Sequence, residues 1–162
     1  MNEIRLSEKE WPVERRWKAT GKSRCFYLAE LEKAVYGKFG EEGMELIRDL
    51  WRKGAERFFL SGVAGFGIQG RGPADLLSYF KLGQEIMGYE MEFVEATEKK
   101  AVLRYHTCHF FEKPDPVAVK LCEAHFEFEK RAIEMFNPKL KIKFAALKSA
   151  GDPYCELVAE LK

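Results

Sequence analysis

The chain lacks most of the features that would place it at once. No apolar run approaches the roughly 18 residues a spanning helix needs, so none is expected. The first residues, Met1-Asn2-Glu3-Ile4-Arg5-Leu6, are charged and hold no apolar signal core, which makes the cytoplasm the expected location. The 27 basic and 26 acidic residues are mixed along the chain, for a formal net charge of +1. No basic stripe stands out, so neither nucleic acid nor a membrane surface is an expected partner. Cysteine is scarce and no C-x2-C pair occurs. In a reducing compartment Cys25, Cys108, Cys122 and Cys155 read as thiols rather than as a disulfide framework, with metal binding, catalysis and burial all open to them.

What is present is ordinary globular composition: 162 residues, 46% hydrophobic and 33% charged. That length suits one compact domain over residues 1–162, with a core that needs no covalent staple. Helical spacing of Cys25, Leu28, Leu31 and Val35 predicts a helix over about 22–36, punctuated by Gly37 and Gly40. Met44, Ile47, Leu50, Trp51, Ala55 and Phe58-Phe59 predict a second over about 41–60. After a glycine-rich stretch, Pro73 suits a helix start and Leu76, Leu77, Phe80, Leu82 and Ile86 carry a third helix to Gly88.

The period then changes. Alternation from Tyr89, a polar turn at Thr97-Glu98-Lys99-Lys100 and a β-rich run from Ala101 to Phe111 predict an antiparallel hairpin. Pro116 opens a helix that Asn137-Pro138 stops, and two strands follow over 139–147 and 154–161. The expected class is α+β, with N-terminal helices on an antiparallel sheet of about four strands and a long helix between the two hairpins.

Gly65-Phe66-Gly67-Ile68-Gln69-Gly70 fits the dinucleotide pattern G-x-G-x-x-G. That chemistry needs a preceding strand, so that phosphate meets the N-terminus of the following helix; here a helix precedes it. The glycines read instead as a mobile loop, a lid over a pocket.

All three histidines, His106, His109 and His125, fall within twenty residues and interleave with Cys108 and Cys122. On a strand His106 and Cys108 would share a face; on a helix Cys122 and His125, three apart, project from one side, with Glu129 seven residues from Cys122 also there. Cys155 belongs to the apolar face of the last strand. Thiolate and imidazole donors from three elements could meet, a set that suits zinc or iron. Tyr105, Phe110, Phe111, Phe126, Phe128 and Phe136 around them serve equally as a pocket wall or as core. Cys25, on an amphipathic face, reads as core.

From Cys108 to Leu161 the sequence resembles a known family. One cysteine closes a strand and a second follows about fourteen residues later in Leu121-Cys122-Glu123-Ala124-His125. After an Asn-Pro break and a strand comes Ala150-Gly151-Asp152-Pro153-Tyr154-Cys155-Glu156-Leu157. This resembles the L-2-amino-thiazoline-4-carboxylic acid hydrolases and, more remotely, the 4-vinyl reductase small-molecule-binding domains. His125 stands where the hydrolases commonly carry an acidic residue. The first resemblance implies hydrolysis of a C–N bond in a small cyclic amidine. Cys108 or Cys122 would be the nucleophile, His125 or His106 the base, and His106, Glu129 and Asp152 the substrate-binding residues. A metal held by Cys108, Cys122, His125 and Cys155 is the alternative activator of water, and the second resemblance implies a non-catalytic ligand or metal sensor. The expected cofactor is thus zinc, iron or none. The expected partner is a small-molecule ligand, with a homodimer left open.

Overall fold

The computed structural model describes residues 12–111 and 113–162; the charged N-terminal hexapeptide lies outside them. Four helices cover a four-stranded antiparallel sheet, the α+β class expected. α1 (Val13–Gly65) comes first, then α2 (Pro73–Ile86), and the hairpin β1 (Met91–Ala96) and β2 (Lys100–Tyr105). α3 (Pro116–His125) and α4 (Glu127–Phe136) lead to the second hairpin, β3 (Leu140–Ala146) and β4 (Cys155–Leu161). Among the described residues no helix is long and apolar enough to cross a membrane.

α1 is helical on both sides of Gly40, whose φ of 59° and ψ of −134° are not helical. The two arms fold back on each other. Trp51 Nε1 donates to Glu32 Oε1 at 2.9 Å across 19 residues, which a straight helix at 1.5 Å per residue would hold roughly 28 Å apart. Only glycine adopts the Gly40 conformation without a Cβ penalty, so the punctuation seen in the sequence is a chain reversal. The first arm's buried face is not the expected one: Gly21, Cys25, Ala29 and Glu32 are buried, whereas Leu31 is 60% exposed. Gly21 is required there, because a Cβ would stand 2.7 Å from the Met87 carbonyl oxygen at the end of α2.

The sheet order is β1-β2-β4-β3, so the two hairpins join at their second strands. Ala101, Leu103 and Tyr105 of β2 and Leu157 and Ala159 of β4 turn to the helices and enter the main core with Phe59, Leu76 and Phe80. On the other face Arg104 donates to Glu156 at 2.9 Å, and Lys141 pairs with Glu160 at 3.3 Å. A second core joins the α1 hairpin to α3 through Ala29, Met44, Ile47, Phe111, Ala118 and Leu121.

Three expectations need correction. β2 stops at Tyr105, because its rungs to Met91 and Cys155 are the last that either neighbour offers; His106 to Phe111 are irregular, so His106 and Cys108 share no strand face. The helix of 116–136 divides at Phe126, whose ψ is −13° and whose ring packs on Phe144 of the sheet at 5.3 Å. Helix α1 also runs through Gly62 to Gly65, which shortens the glycine loop to 66–72.

Candidate ligand-binding site

A cavity of about 690 Å³ is lined from both cores, and all four cysteines border it. Each is held by its own element. Cys25 sits on the first arm of α1 with Sγ 3.7 Å from Tyr89 Oη. Cys108 Sγ accepts from Phe111 N at 3.2 Å in the loop after β2. Cys122 Sγ on α3 lies 3.3 Å from Ser149 Oγ. Cys155 Sγ, at the start of β4, accepts from Lys148 N at 3.3 Å. Burial pushes the Cys122 thiol up to about 12 and the Cys155 thiol up to about 11. Cys25 is raised for the same reason. The sequence reading of Cys25 as core is half of its role, since the same thiol faces the cavity.

His125 also borders the cavity, but its geometry is not that of a base beside a thiol. Its Nε2 is 2.6 Å from Glu32 Oε2, and the other oxygen of that carboxylate accepts from Trp51. The Trp51 ring lies 4.2 Å from the imidazole, centroid to centroid. Glu32 is 3% exposed and was missed in the sequence. Its place at i+7 from Cys25 on the buried arm is the signal that could have found it.

Glu129 lies on α4 and is buried, with Oε2 lacking any hydrogen-bond partner. Burial pushes its carboxyl up to about 7. Tyr105 Oη and Gln84 Oε1 are likewise buried without partners, and all three residues line the cavity. Burial, then the nearby Glu129, raises the hydroxyls of Tyr79 and Tyr105. Of the expected aromatic wall, Tyr105, Phe110, Phe111 and Phe128 do border the cavity, while Phe126 and Phe136 do not. Trp17, Trp51, Phe58, Tyr79, Phe80, Tyr89 and Phe144 also line it; where helical spacing marked any of them, it marked a helix face and not a pocket.

The remaining expected residues stand elsewhere. His106 is exposed, its Nε2 3.0 Å from Glu92 Oε1. Asp152 is exposed and accepts from Leu147 N at 2.7 Å, which ties the turn before β4. Neither borders the cavity. Among the described residues no three His, Cys, Asp or Glu side chains are gathered to hold a metal ion. His125 is taken by Glu32, and the thiols bond to separate partners.

Nor does the glycine loop reach the cavity: no residue between Phe58 and Tyr79 lines it, so the lid expectation is corrected. The phosphate pattern also has an occupant, because Asp75 Oδ2 accepts from Gly72 N at 2.9 Å at the start of α2. A carboxylate already sits where an anion would bind.

No protein-family model matches the chain, and no curated protein matches it. Solved structures do. The architecture belongs with α+β proteins in which helices cover one antiparallel sheet. One is a trafficking protein particle complex subunit 3 from Naegleria fowleri, solved covalently bound to palmitic acid. It has a TM-score of 0.64 at 13% identity, covering 90% of this chain and 96% of that one. Another is the phenol-responsive sensory domain of the transcription activator PoxR, solved with phenol. Its TM-score is 0.58 at 10% identity, covering 83% of this chain and 73% of that one. At these identities the likeness is one of fold.

Proposed function

We propose that the chain is a small-molecule-binding domain whose ligand is a compact, largely apolar, ring-bearing compound with one hydrogen-bonding group. The observation that carries this reading is the cavity of about 690 Å³, walled by aromatic rings, with three buried polar atoms that find no partner within the protein. Ligand pockets combine an apolar wall with a few convergent polar groups, and unpaired buried polar atoms are rare in cores because each costs about 1–3 kcal/mol. A ligand that bonds them would recover that cost. The fold solved with phenol supports the ring-bearing ligand, and the fold solved covalently bound to palmitic acid supports only an apolar one.

The hydrolytic reading implied by the C-terminal resemblance has one observation in its favour: Glu32 orients His125 at the edge of a cavity that also holds thiols. Against it, burial keeps Cys122, one of the two candidate nucleophiles, protonated near neutral pH, and a protonated thiol is a poor nucleophile. Binding therefore ranks first. The test is a thermal-unfolding series with phenol and with palmitate as probes. A ligand at 100 times its Kd stabilises by about 2.7 kcal/mol, so at least one probe is expected to raise the midpoint in the wild type. In Cys155→Met, where a longer side chain occupies the cavity, the rise is expected to disappear. If neither probe shifts the midpoint, or the variant responds as the wild type does, the binding reading is wrong.

A further inference from the structure

The cavity's unpartnered polar atoms differ in kind. Glu129 Oε2 and Gln84 Oε1 are acceptors, and Tyr105 Oη can donate or accept. The balance favours a ligand that donates. Among the described residues Glu129 is also the one acidic residue bordering the cavity, and Arg24, the one Lys or Arg there, is exposed.

The groups facing Glu129 are neutral at ordinary pH: Tyr79 on α2, Tyr105 on β2 and Cys122 on α3, with Cys155 on β4 beside Tyr105 and Cys122. The α1 charges packed against α4 are engaged on its outer side, where Arg52 is 3.0 Å from Glu134 and Glu56 is 2.9 Å from Arg131. His125 on α3, which borders the same cavity, pairs with Glu32 at 2.6 Å, and among the described residues no cation pairs with Glu129. Burial of a lone carboxylate is costly, and a cation lying against aromatic faces is a favourable counter-charge.

We propose that the Glu129 end of the cavity binds the protonated amine of a small arylalkylamine, with the carboxylate accepting from its ammonium and the rings of Tyr79, Tyr105 and Phe128 enclosing it. This rests on the small-molecule-binding reading and narrows it to one ligand class. A carboxylate ligand meets the opposite situation, since Glu129 repels it.

Calorimetric titration with 2-phenylethylamine, 2-phenylethanol and phenylacetate separates charge from shape. At about pH 8 the amine is expected to bind at least about ten-fold tighter than the alcohol, and phenylacetate weakest. Between about pH 8 and about pH 6 the amine stays protonated while Glu129 takes up a proton, so its affinity is expected to fall about ten-fold. The alcohol's affinity stays constant. Glu129→Gln removes the amine's advantage over the alcohol and its pH dependence. Should that variant fold poorly, the pH series on the wild type decides the same question. An alcohol that binds as tightly as the amine, or an amine preference that survives Glu129→Gln, overturns the inference and leaves the binding reading standing. If none of the three binds, the inference falls, and the thermal series with phenol and palmitate decides the binding reading.

Discussion

Glu129 is a carboxyl that the fold holds against its ordinary ionisation. Its pKa is raised to about 7 by burial, so the folded protein holds this proton more tightly than the unfolded chain. The stability linked to it is complete below the unfolded value of about 4.3 and is lost as pH rises through about 7. Glu129→Gln is accordingly expected to match the wild type near pH 4 and to exceed it near pH 8 by about 1–3 kcal/mol, read from urea midpoints at the two values. A variant no more stable than wild type at the higher pH would mean that the carboxylate is compensated.

The thiols make a second test at this scale. Because burial raises Cys25, Cys122 and Cys155, each is expected to react with a disulfide reagent at about pH 8 more slowly than free cysteine, Cys122 and Cys155 by at least about ten-fold. Labelling of Cys122 at the free rate, followed by mass spectrometry of peptides, would restore it as a candidate nucleophile. Helical spacing alone brought Cys122, His125 and Glu129 to one side, and all three border the cavity. It could not supply Glu32, whose meeting with His125 spans 93 residues, nor show that His106 lies beyond the end of its strand.

At the scale of elements, Gly40 decides how α1 is used. Its φ of 59° brings the arms together, and a Cβ there would meet nothing within 4 Å. Gly40→Ala therefore isolates the backbone term and is expected to cost about 1–3 kcal/mol in urea denaturation. Gly37→Ala, in the helical arm and equally open, is expected to gain about 0.5–1 kcal/mol. Equal effects would contradict the reversal. The sequence marked both glycines and the helices flanking them, because local conformational preference is written locally. Strand ends were less legible, since β2 stops where its partners do. The glycine loop misled for a related reason: Gly62 serves close packing inside α1, where a Cβ would meet the Tyr79 ring at 2.7 Å, and not a loop.

Across the whole molecule, alternation and helical period revealed the α+β layering, because one buried sheet face and four amphipathic helices leave periodic traces. The cavity left none. Its wall draws on α1, α2, β2, α3, α4, β3 and β4, and which aromatic side chains fill a core and which border a void depends on how those elements meet. Ligand binding stands or falls on that void between the two cores. It is probed by titrating 2-phenylethanol into wild type and Cys155→Met by calorimetry at several temperatures. One saturable site with a negative heat-capacity change is expected, as apolar burial requires, together with its loss in the variant. Binding without saturation, or a site that Cys155→Met leaves intact, would show that the void is not where the ligand sits.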